Sequence, residues 1–238
     1  NPGGERVEGF TSLLWLLLIS PLFYLSDSPE NAIVALNILI IAAALFALQR
    51  SLHHFLNSAN HALLPDSLST LMSWLPVLWV LASPSYITWT ICSLMETGLW
   101  SALLITAAAI YLRGCSAPLS SSVAARFSLV CCMLVLTRPE AMLWVPALLF
   151  IILATCSLNH RRAPGISTVL LLVVPSILTF IGLVAFRQWY FGFPLPNTFY
   201  AKISPDLYYK LMHVFLYIFA FVLMNPLIFV SIVACLLI

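Results

Sequence analysis

Long apolar runs separated by short polar segments dominate this chain. Seven runs approach the roughly 20 residues that a helix needs to cross a bilayer. A further run, Leu13–Leu25, is shorter and is interrupted by Ser20 and Pro21, which favours a helix lying in the membrane interface. The pattern predicts an all-α, polytopic transmembrane helical bundle with about seven membrane spans and an interfacial N-terminal helix. The predicted spans are 31–49, 68–83, 90–112, 123–137, 141–157, 166–186 and 212–238.

The composition excludes a water-soluble domain. Hydrophobic residues make up 62% of the chain and charged residues only 8%, whereas soluble domains carry about 25% charged residues. The net charge of +2 and the absence of a basic run indicate no nucleic-acid partner. The 6 cysteines lie mostly in or beside apolar runs without a CxxC pair, so buried small hydrophobes are favoured over a disulfide framework or a zinc site.

The basic residues orient the predicted spans. Arg50, Arg113, Arg126 and the Arg161–Arg162 pair fall in alternate loops, and cytoplasmic loops are enriched in arginine and lysine. The alternation holds only if Leu13–Leu25 does not cross the membrane, which independently supports an interfacial helix there. The remaining loops then face outward, and they hold most of the unusual polar clusters. Such a gathering is what an extracytoplasmic active site would require.

Two of these clusters adjoin predicted helix starts. Glu96 lies in SLMETGLW, and a carboxylate at membrane depth usually pairs or has a function. The alternative is a carboxylate favoured by the positive end of the helix dipole. In Arg138-Pro139-Glu140, the arginine can bind a phosphate as a permanently charged fork. The alternative there is a capped interfacial turn, with proline in the first helical turn.

The stretch from Arg187 to Lys202, RQWYFGFPLPNTFYAK, is predicted to be a loop at the membrane surface. Its aromatic residues, Tyr190 and Tyr200 among them, can stack on a sugar or line a lipid channel, Asn197 can cap a helix, and Lys202 can hold a phosphate. An aromatic belt at the lipid headgroups explains the aromatic residues but not the Pro-Asn-Thr-Lys pattern.

Two other polar groups carry weaker signals. Glu5, Arg6 and Glu8 precede the interfacial helix, and by themselves they are an ordinary solvated loop. His53, His54 and His61 lie on the predicted cytoplasmic side. Their spacing lacks the carboxylates or cysteines of a metal site, so they are interpreted as polar interfacial residues.

Four of these motifs together resemble a known family. NPGGERVEGFTSLLW resembles the NPGERVEGYTSPLW element of GT-C fold glycosyltransferases that use polyprenyl-phosphate sugars. METGLW is similar to their GLET element, TRPEAML to their TRPEG turn, and Arg187–Lys202 to their R..YYG.PLPNTFYAK loop. The terminal arabinofuranosyltransferases of actinobacterial cell walls are the group that the chain most resembles. Leu13, Met95 and Ala141 stand where the family has proline, glycine and glycine.

The resemblance implies an inverting transfer of a sugar from a polyprenyl-phosphate donor to a cell-envelope glycan or another acceptor, such as a lipid-linked one. The transfer would take place at the outer face of the bacterial inner (plasma) membrane. Pentose and hexose donors remain alternatives. Metal dependence stays open, so a divalent metal is a candidate cofactor. The implied substrate-binding residues are Glu5, Arg6, Glu8, Glu96, Arg138, Glu140, Arg187, Tyr190, Asn197, Tyr200 and Lys202.

The family's catalytic base is an aspartate that precedes the element matched by Asn1–Trp15, so no residue here takes that role by matching. We expect 1–238 to be part of a transmembrane glycosyltransferase domain that is inactive by itself. Residues 1–30 would end the first outer loop with the interfacial helix, and 31–238 would supply the transmembrane helices and loops. The family's N-terminal helix and C-terminal outer domain would be absent. A transporter or lipid flippase and a non-catalytic membrane protein remain the alternatives.

Overall fold

The computed structural model describes residues 8, 10–58, 65–115, 119–160, 164–196 and 207–224, and this part of the chain is helical without strands. The first helices are α1 (Leu13–Ile19), α2 (Leu22–Leu25), α3 (Pro29–Leu56), α4 (Asp66–Leu81) and α5 (Pro84–Ile87), which continues into a π-helical turn, Thr88–Cys92. They are followed by α6 (Thr97–Cys115), α7 (Ser121–Thr137), α8 (Ala141–His160), α9 (Ile166–Phe191) and α10 (Leu207–Met224).

The chain divides into two compact units, 1–196 and 197–238. The second unit contributes α10, an apolar helix whose described side chains are mostly exposed. All other described helices belong to the first unit, where α3 packs against α4 and α6, and α7 packs against α6 and α9.

Four helices of the described chain are long and apolar enough to cross a membrane, namely α3, α6, α8 over Ala141–Leu158, and α9. A fifth candidate is α4 together with Pro84–Cys92, a pair bent by 67°. The helix α7 has 17 residues, short of the roughly 20 that span a bilayer. The prediction of an all-α bundle with membrane-spanning helices is therefore confirmed, whereas the number of seven spans is not.

The segment Leu13–Leu25 forms two short helices, α1 and α2, with the break at Ser20 and Pro21 where the sequence predicted it. The hydroxyl of Ser12 accepts a hydrogen bond from the backbone N–H of Trp15 at 3.3 Å and so caps α1. The buried indole of Trp15 donates its Nε1–H to the carbonyl of Leu94 at 3.3 Å. One side chain thus fixes α1 to the turn that precedes α6.

The prediction of one helix over 90–112 is wrong at its start. The chain leaves the π-helical turn after Cys92, and Leu94 adopts a φ of 58°, which interrupts the helix before α6 begins at Thr97. The hydroxyls of Ser93 and Thr97 both donate to the carbonyl of Trp89. These two hydroxyls replace the backbone N–H group that would have bonded this carbonyl if the helix had continued.

Helix α6 approaches its neighbours closely at Gly98. A Cβ at this position would lie 2.3 Å from the carbonyl oxygen of Thr90 and 2.5 Å from Oδ1 of Asn37. Asn37 is fully buried in α3, and its amide nitrogen donates to the carbonyl of Ile91 at 3.4 Å. The missing side chain of Gly98 therefore allows α3, α6 and the π-helical turn to meet.

The apolar core of the first unit has two parts. The larger joins side chains from α1, α3, α6, α7, α8 and α9 around Phe127 and Leu134 of α7, which are 1% and 0% exposed. The smaller lies between α3, α4 and α6. Many large apolar side chains point away from both, as Leu39, Phe150 and Leu178 do, which is the arrangement expected of helices surrounded by lipid.

Helix α9 extends beyond its predicted end at residue 186. It continues to Phe191, and Gly192 then ends it with a φ of 79° and an N–H donated to the carbonyl of Gln188. The prediction that Arg187 begins a surface loop is therefore wrong for Arg187–Phe191, because those residues form the last turns of α9.

Candidate active site

The first unit brings charged residues from distant parts of the sequence to one end of the bundle. Glu96 directly precedes α6, Arg138 directly follows α7, Glu140 directly precedes α8, and Arg187 lies in the last turns of α9. Since α6 to α9 alternate in direction, these helix ends meet. We call this end of the bundle the motif end.

A buried ion pair joins the N-terminal segment to α9. The Nε and Nη2 atoms of Arg187 each lie 3.0 Å from Oε1 of Glu8. The two side chains are only 5% and 4% exposed. Nη2 also lies 3.5 Å from the carbonyl oxygen of Thr11. The other carboxylate oxygen, Oε2 of Glu8, is buried and has no hydrogen-bond partner among the described residues, so the prediction that Glu8 belongs to an ordinary solvated loop is wrong.

A second ion pair links the start of α6 to the end of α7. The Nε and Nη2 atoms of Arg138 lie 3.0 and 2.9 Å from Oε1 of Glu96. The Arg138 side chain is 28% exposed and that of Glu96 is 10% exposed. In the described part of the chain no acceptor binds Nη1 of Arg138, so this guanidinium keeps donors for a further anion. The carboxylate at the apolar helix start is thus paired, one of the alternatives that the sequence allowed.

Two predicted site residues lie at the surface of the motif end. Glu140 is exposed, and its carbonyl accepts the N–H groups of Leu143 and Trp144 in the first turn of α8. Tyr190 is 40% exposed, and its ring is stacked on that of Phe186. The remaining predicted site residues lie outside the described residues: Glu5, Arg6, Asn197, Tyr200 and Lys202.

An apolar cavity of about 370 Å³ lies between α7, α8 and α9. Val135, Met142 and Phe180 belong to its lining, and Ser176 is its hydroxyl-bearing side chain among the described residues. The other lining residues are Ala141, Val145, Pro146, Leu149, Val173 and Ile177. The cavity suits a hydrocarbon chain because its walls offer apolar contact and few groups that need water.

A small cavity of about 10 Å³ adjoins the apolar one and shares Val135, Met142 and Phe180 with it. It reaches both arginines of the motif end, Arg138 and Arg187. Leu195, which follows the end of α9, is also part of its lining, and Pro196 beside it is fully buried. Its volume corresponds to about one water molecule, so a phosphate enters only if Leu195 or a neighbouring side chain moves.

The site therefore combines the apolar cavity with two arginines that differ in their exposure to solvent. Arg138 is partly exposed and can contact an anion directly, whereas Arg187 is enclosed and is neutralised by Glu8. Among the described residues, no group of three His, Cys, Asp or Glu side chains is arranged to hold a metal ion.

The sequence predicted the charged residues but not the cavity beside them. Met142, Phe180 and Ser176 lie in runs that are apolar throughout, and nothing in such a run indicates which face meets a neighbouring helix. The partner of Arg187 was also missed, because it lies 179 residues away in the chain. A charged residue directly after the predicted span 166–186 was the available signal that a partner exists.

No protein-family model, curated protein or solved structure matches this chain.

Proposed function

We propose that this chain is part of a membrane glycosyltransferase that takes a sugar from a polyprenyl-phosphate donor and transfers it to a cell-envelope glycan or another acceptor. The observation that carries the proposal is the apolar cavity of about 370 Å³ that adjoins Arg138 and Arg187. A polyprenyl phosphate has matching parts, a long apolar chain and an anionic head. In this proposal the motif end faces the exterior of a bacterial inner membrane.

The donor phosphate contacts Arg138 first. This side chain is fixed through its Nε and Nη2 atoms by Glu96 and keeps the N–H groups of Nη1 for another acceptor. A guanidinium bound in this way is oriented before the ligand arrives, which lowers the entropy lost on binding. When the bond between the sugar and the phosphate breaks, the positive charge of Arg138 stabilises the phosphate that leaves.

Arg187 and Glu8 have a different role in this proposal. Their ion pair is enclosed and holds the segment around Thr11 against α9. Arg187 therefore shapes the wall of the donor site and does not bind the phosphate in the closed state. Movement of Leu195 would open the small cavity between the two arginines. Gly192, with its φ of 79°, lies just before this segment and is a suitable hinge.

The position of the charged residues, rather than that of the bent helix pair, favours a surface enzyme over a transporter. Transporters carry interrupted helices near the middle of the membrane, where they bind their substrates. Here the interruption at Ala82–Ser83 follows the last turn of α4, and Pro84–Cys92 leads to the start of α6. Val80 near the end of α4 packs with Ile41 and Ala44 in the middle of α3, so the bent pair does not separate the two functions. The charged residues do, because Glu96, Arg138 and Arg187 lie at helix ends.

The proposal is tested by binding, because binding does not need the catalytic base that the resemblance places before Asn1. Purified chain in neutral detergent is photolabelled with a polyprenyl phosphate that carries a photoreactive group near the end of its hydrocarbon chain. We expect labelled peptides from α7, α8 and α9. Excess unlabelled polyprenyl phosphate should prevent labelling, and the matching polyprenol without phosphate should compete at least about tenfold more weakly.

Two adjacent residues of α9 supply a matched control. Ile177 lines the apolar cavity and is 49% exposed, whereas Leu178 does not line it and is 62% exposed. Ile177→Trp should fill the cavity and reduce labelling several-fold, while Leu178→Trp should leave it unchanged. Equal labelling of both variants, or equal competition by polyprenol and polyprenyl phosphate, would refute the proposed donor site.

A further inference from the structure

A second cavity lies at the other end of the first unit. It has a volume of about 630 Å³ and is lined by the last turns of α3, the second turn of α4 and the last turn of α6. Arg113 in α6 is about 24 Å along the helix axis from Thr97, since 16 residues rise by about 1.5 Å each. The cavity is thus separate from the motif end. Its lining residues are Gln49, Arg50, His53, His54, Thr70 and Arg113.

The lining of this cavity is rich in hydrogen-bond donors and basic side chains. It combines two guanidinium groups with two imidazoles, and no carboxylate lines it among the described residues. Asp66 begins α4 one turn before Thr70, yet in the described chain it forms no ion pair with Arg50 or Arg113. The positive charge of the cavity is therefore not neutralised by a described protein group.

Several of the basic side chains are held in place. Nε of Arg113 donates to the hydroxyl of Ser51 at 2.9 Å, and Cζ of Arg50 lies 4.8 Å from the ring centroid of Phe46. The ring of His53 lies within 3.3 Å of the Thr70 hydroxyl. Each contact restrains its side chain. The guanidinium groups of Arg50 and Arg113 keep N–H groups for another acceptor.

Arginines at the ends of spanning helices also have a simpler explanation. They follow the charge rule for cytoplasmic loops, and at the C-terminal ends of α3 and α6 they complement the negative end of the helix dipole. That explanation accounts for Arg126 as well, which is exposed in the first turns of α7 at the same end of the bundle. It does not account for a cavity of this size with its donors held by separate contacts.

We propose that this cavity binds a phosphate group, and that the source is the headgroup of an anionic lipid. A phosphate accepts several charge-assisted hydrogen bonds, and arginine binds it with a fork of two donors. Arg50 and Arg113 lie in the last turns of α3 and α6, which are both long enough to cross the membrane. The cavity therefore lies at the depth of lipid headgroups, where anionic lipids attract basic residues.

The test measures equilibrium binding of short-chain phosphatidic acid to the purified chain in neutral detergent by titration calorimetry. Inorganic phosphate and short-chain phosphatidylcholine are titrated in parallel at the same ionic strength. We expect saturable binding of phosphatidic acid and at least about tenfold weaker binding of phosphatidylcholine, whose choline group offsets the phosphate charge. Saturable binding of inorganic phosphate with the same response to the variants below would support the site and assign it to free phosphate.

Three variants assign the binding to the cavity. Arg50→Gln removes an exposed charge that lines the cavity and should weaken binding about tenfold or more. Arg113→Lys keeps the charge but loses the fork, and should weaken binding less. Arg126→Gln removes one charge from the same end of the bundle outside the cavity lining, and should change the dissociation constant less than about twofold. Circular dichroism checks that each variant keeps its helices.

Two results would overturn the proposal. One is the absence of saturable binding for both phosphatidic acid and inorganic phosphate. The other is an equal loss of binding in Arg50→Gln and Arg126→Gln, because it would show that general surface charge attracts the ligand. Neither result would affect the proposed donor site, which lies at the opposite end of the bundle and is tested with a different ligand.

Discussion

Breaking the ion pair between Glu8 and Arg187 should be among the most destabilising single changes in this protein. Its nitrogen and oxygen atoms are 3.0 Å apart and both side chains are about 95% enclosed. At this distance the Coulomb attraction is about 5–6 kcal/mol for an effective dielectric constant of about 20. The cost of removing both charges from water offsets much of that attraction.

The expected outcome is therefore strong coupling rather than a large net contribution. Glu8→Gln leaves the guanidinium enclosed without its counter-charge, and Arg187→Met leaves the carboxylate in the same state. Each variant should lower the free energy of unfolding by about 3–5 kcal/mol. The double variant has no unpaired charge, so its loss should fall short of the sum of the single losses by about 2–3 kcal/mol.

The measurement is equilibrium unfolding of the purified chain by sodium dodecyl sulfate in mixed micelles, followed by circular dichroism. Glu30→Gln is the control, because Glu30 is exposed in the first turn of α3 and should change the free energy by less than about 0.5 kcal/mol. Added salt should leave the coupling nearly unchanged, since enclosed charges are poorly screened. Additive single and double variants would refute the assignment of a coupled pair.

Two further predictions concern neighbouring contacts in the same unit. Glu96→Gln should lower the free energy of unfolding by about 1–3 kcal/mol, which is less than the loss in Glu8→Gln. The reason is that Arg138 is 28% exposed and can be solvated once its partner is neutral. Equal losses in Glu96→Gln and Glu8→Gln, measured in the same unfolding assay, would contradict the difference in solvent exposure between the two arginines. Gly98→Ala should cost about 1–3 kcal/mol or more, since its Cβ would lie 2.3 Å from the Thr90 carbonyl oxygen. Gly182→Ala in α9 has nothing within 4 Å of its Cβ and should gain up to about 1 kcal/mol, and a similar loss in both glycine variants would show that close packing is not the cause.

The helices could be predicted from the sequence because the length and polarity of a run determine whether it can lie in lipid. The predicted span 31–49 falls within α3, and 166–186 falls within α9. The break between Cys92 and Thr97 could not be predicted in this way. It depends on the φ of Leu94 and on two hydroxyls that bind the Trp89 carbonyl, and neither alters the apolar character of the run.

The candidate site could be predicted only in part for a related reason. Glu96 and Arg138 stand out because charges are rare in apolar surroundings. Their pairing with each other, and that of Arg187 with Glu8, depends on which helix ends meet. The apolar cavity depends on the mutual packing of α7, α8 and α9. A helix whose sequence is apolar on every face does not indicate which face will line a cavity.

The contact between Glu8 and Arg187 also sets a constraint on synthesis. The two residues are 179 positions apart, and ribosomes add about 5–20 residues per second. Roughly 10–40 s therefore pass between the translation of the carboxylate and that of its guanidinium partner. During that interval α3 and α6 are already available for insertion, while the segment around Glu8 must wait at the membrane surface in contact with water. Docking of the N-terminal segment is thus a late step that follows the arrival of α9.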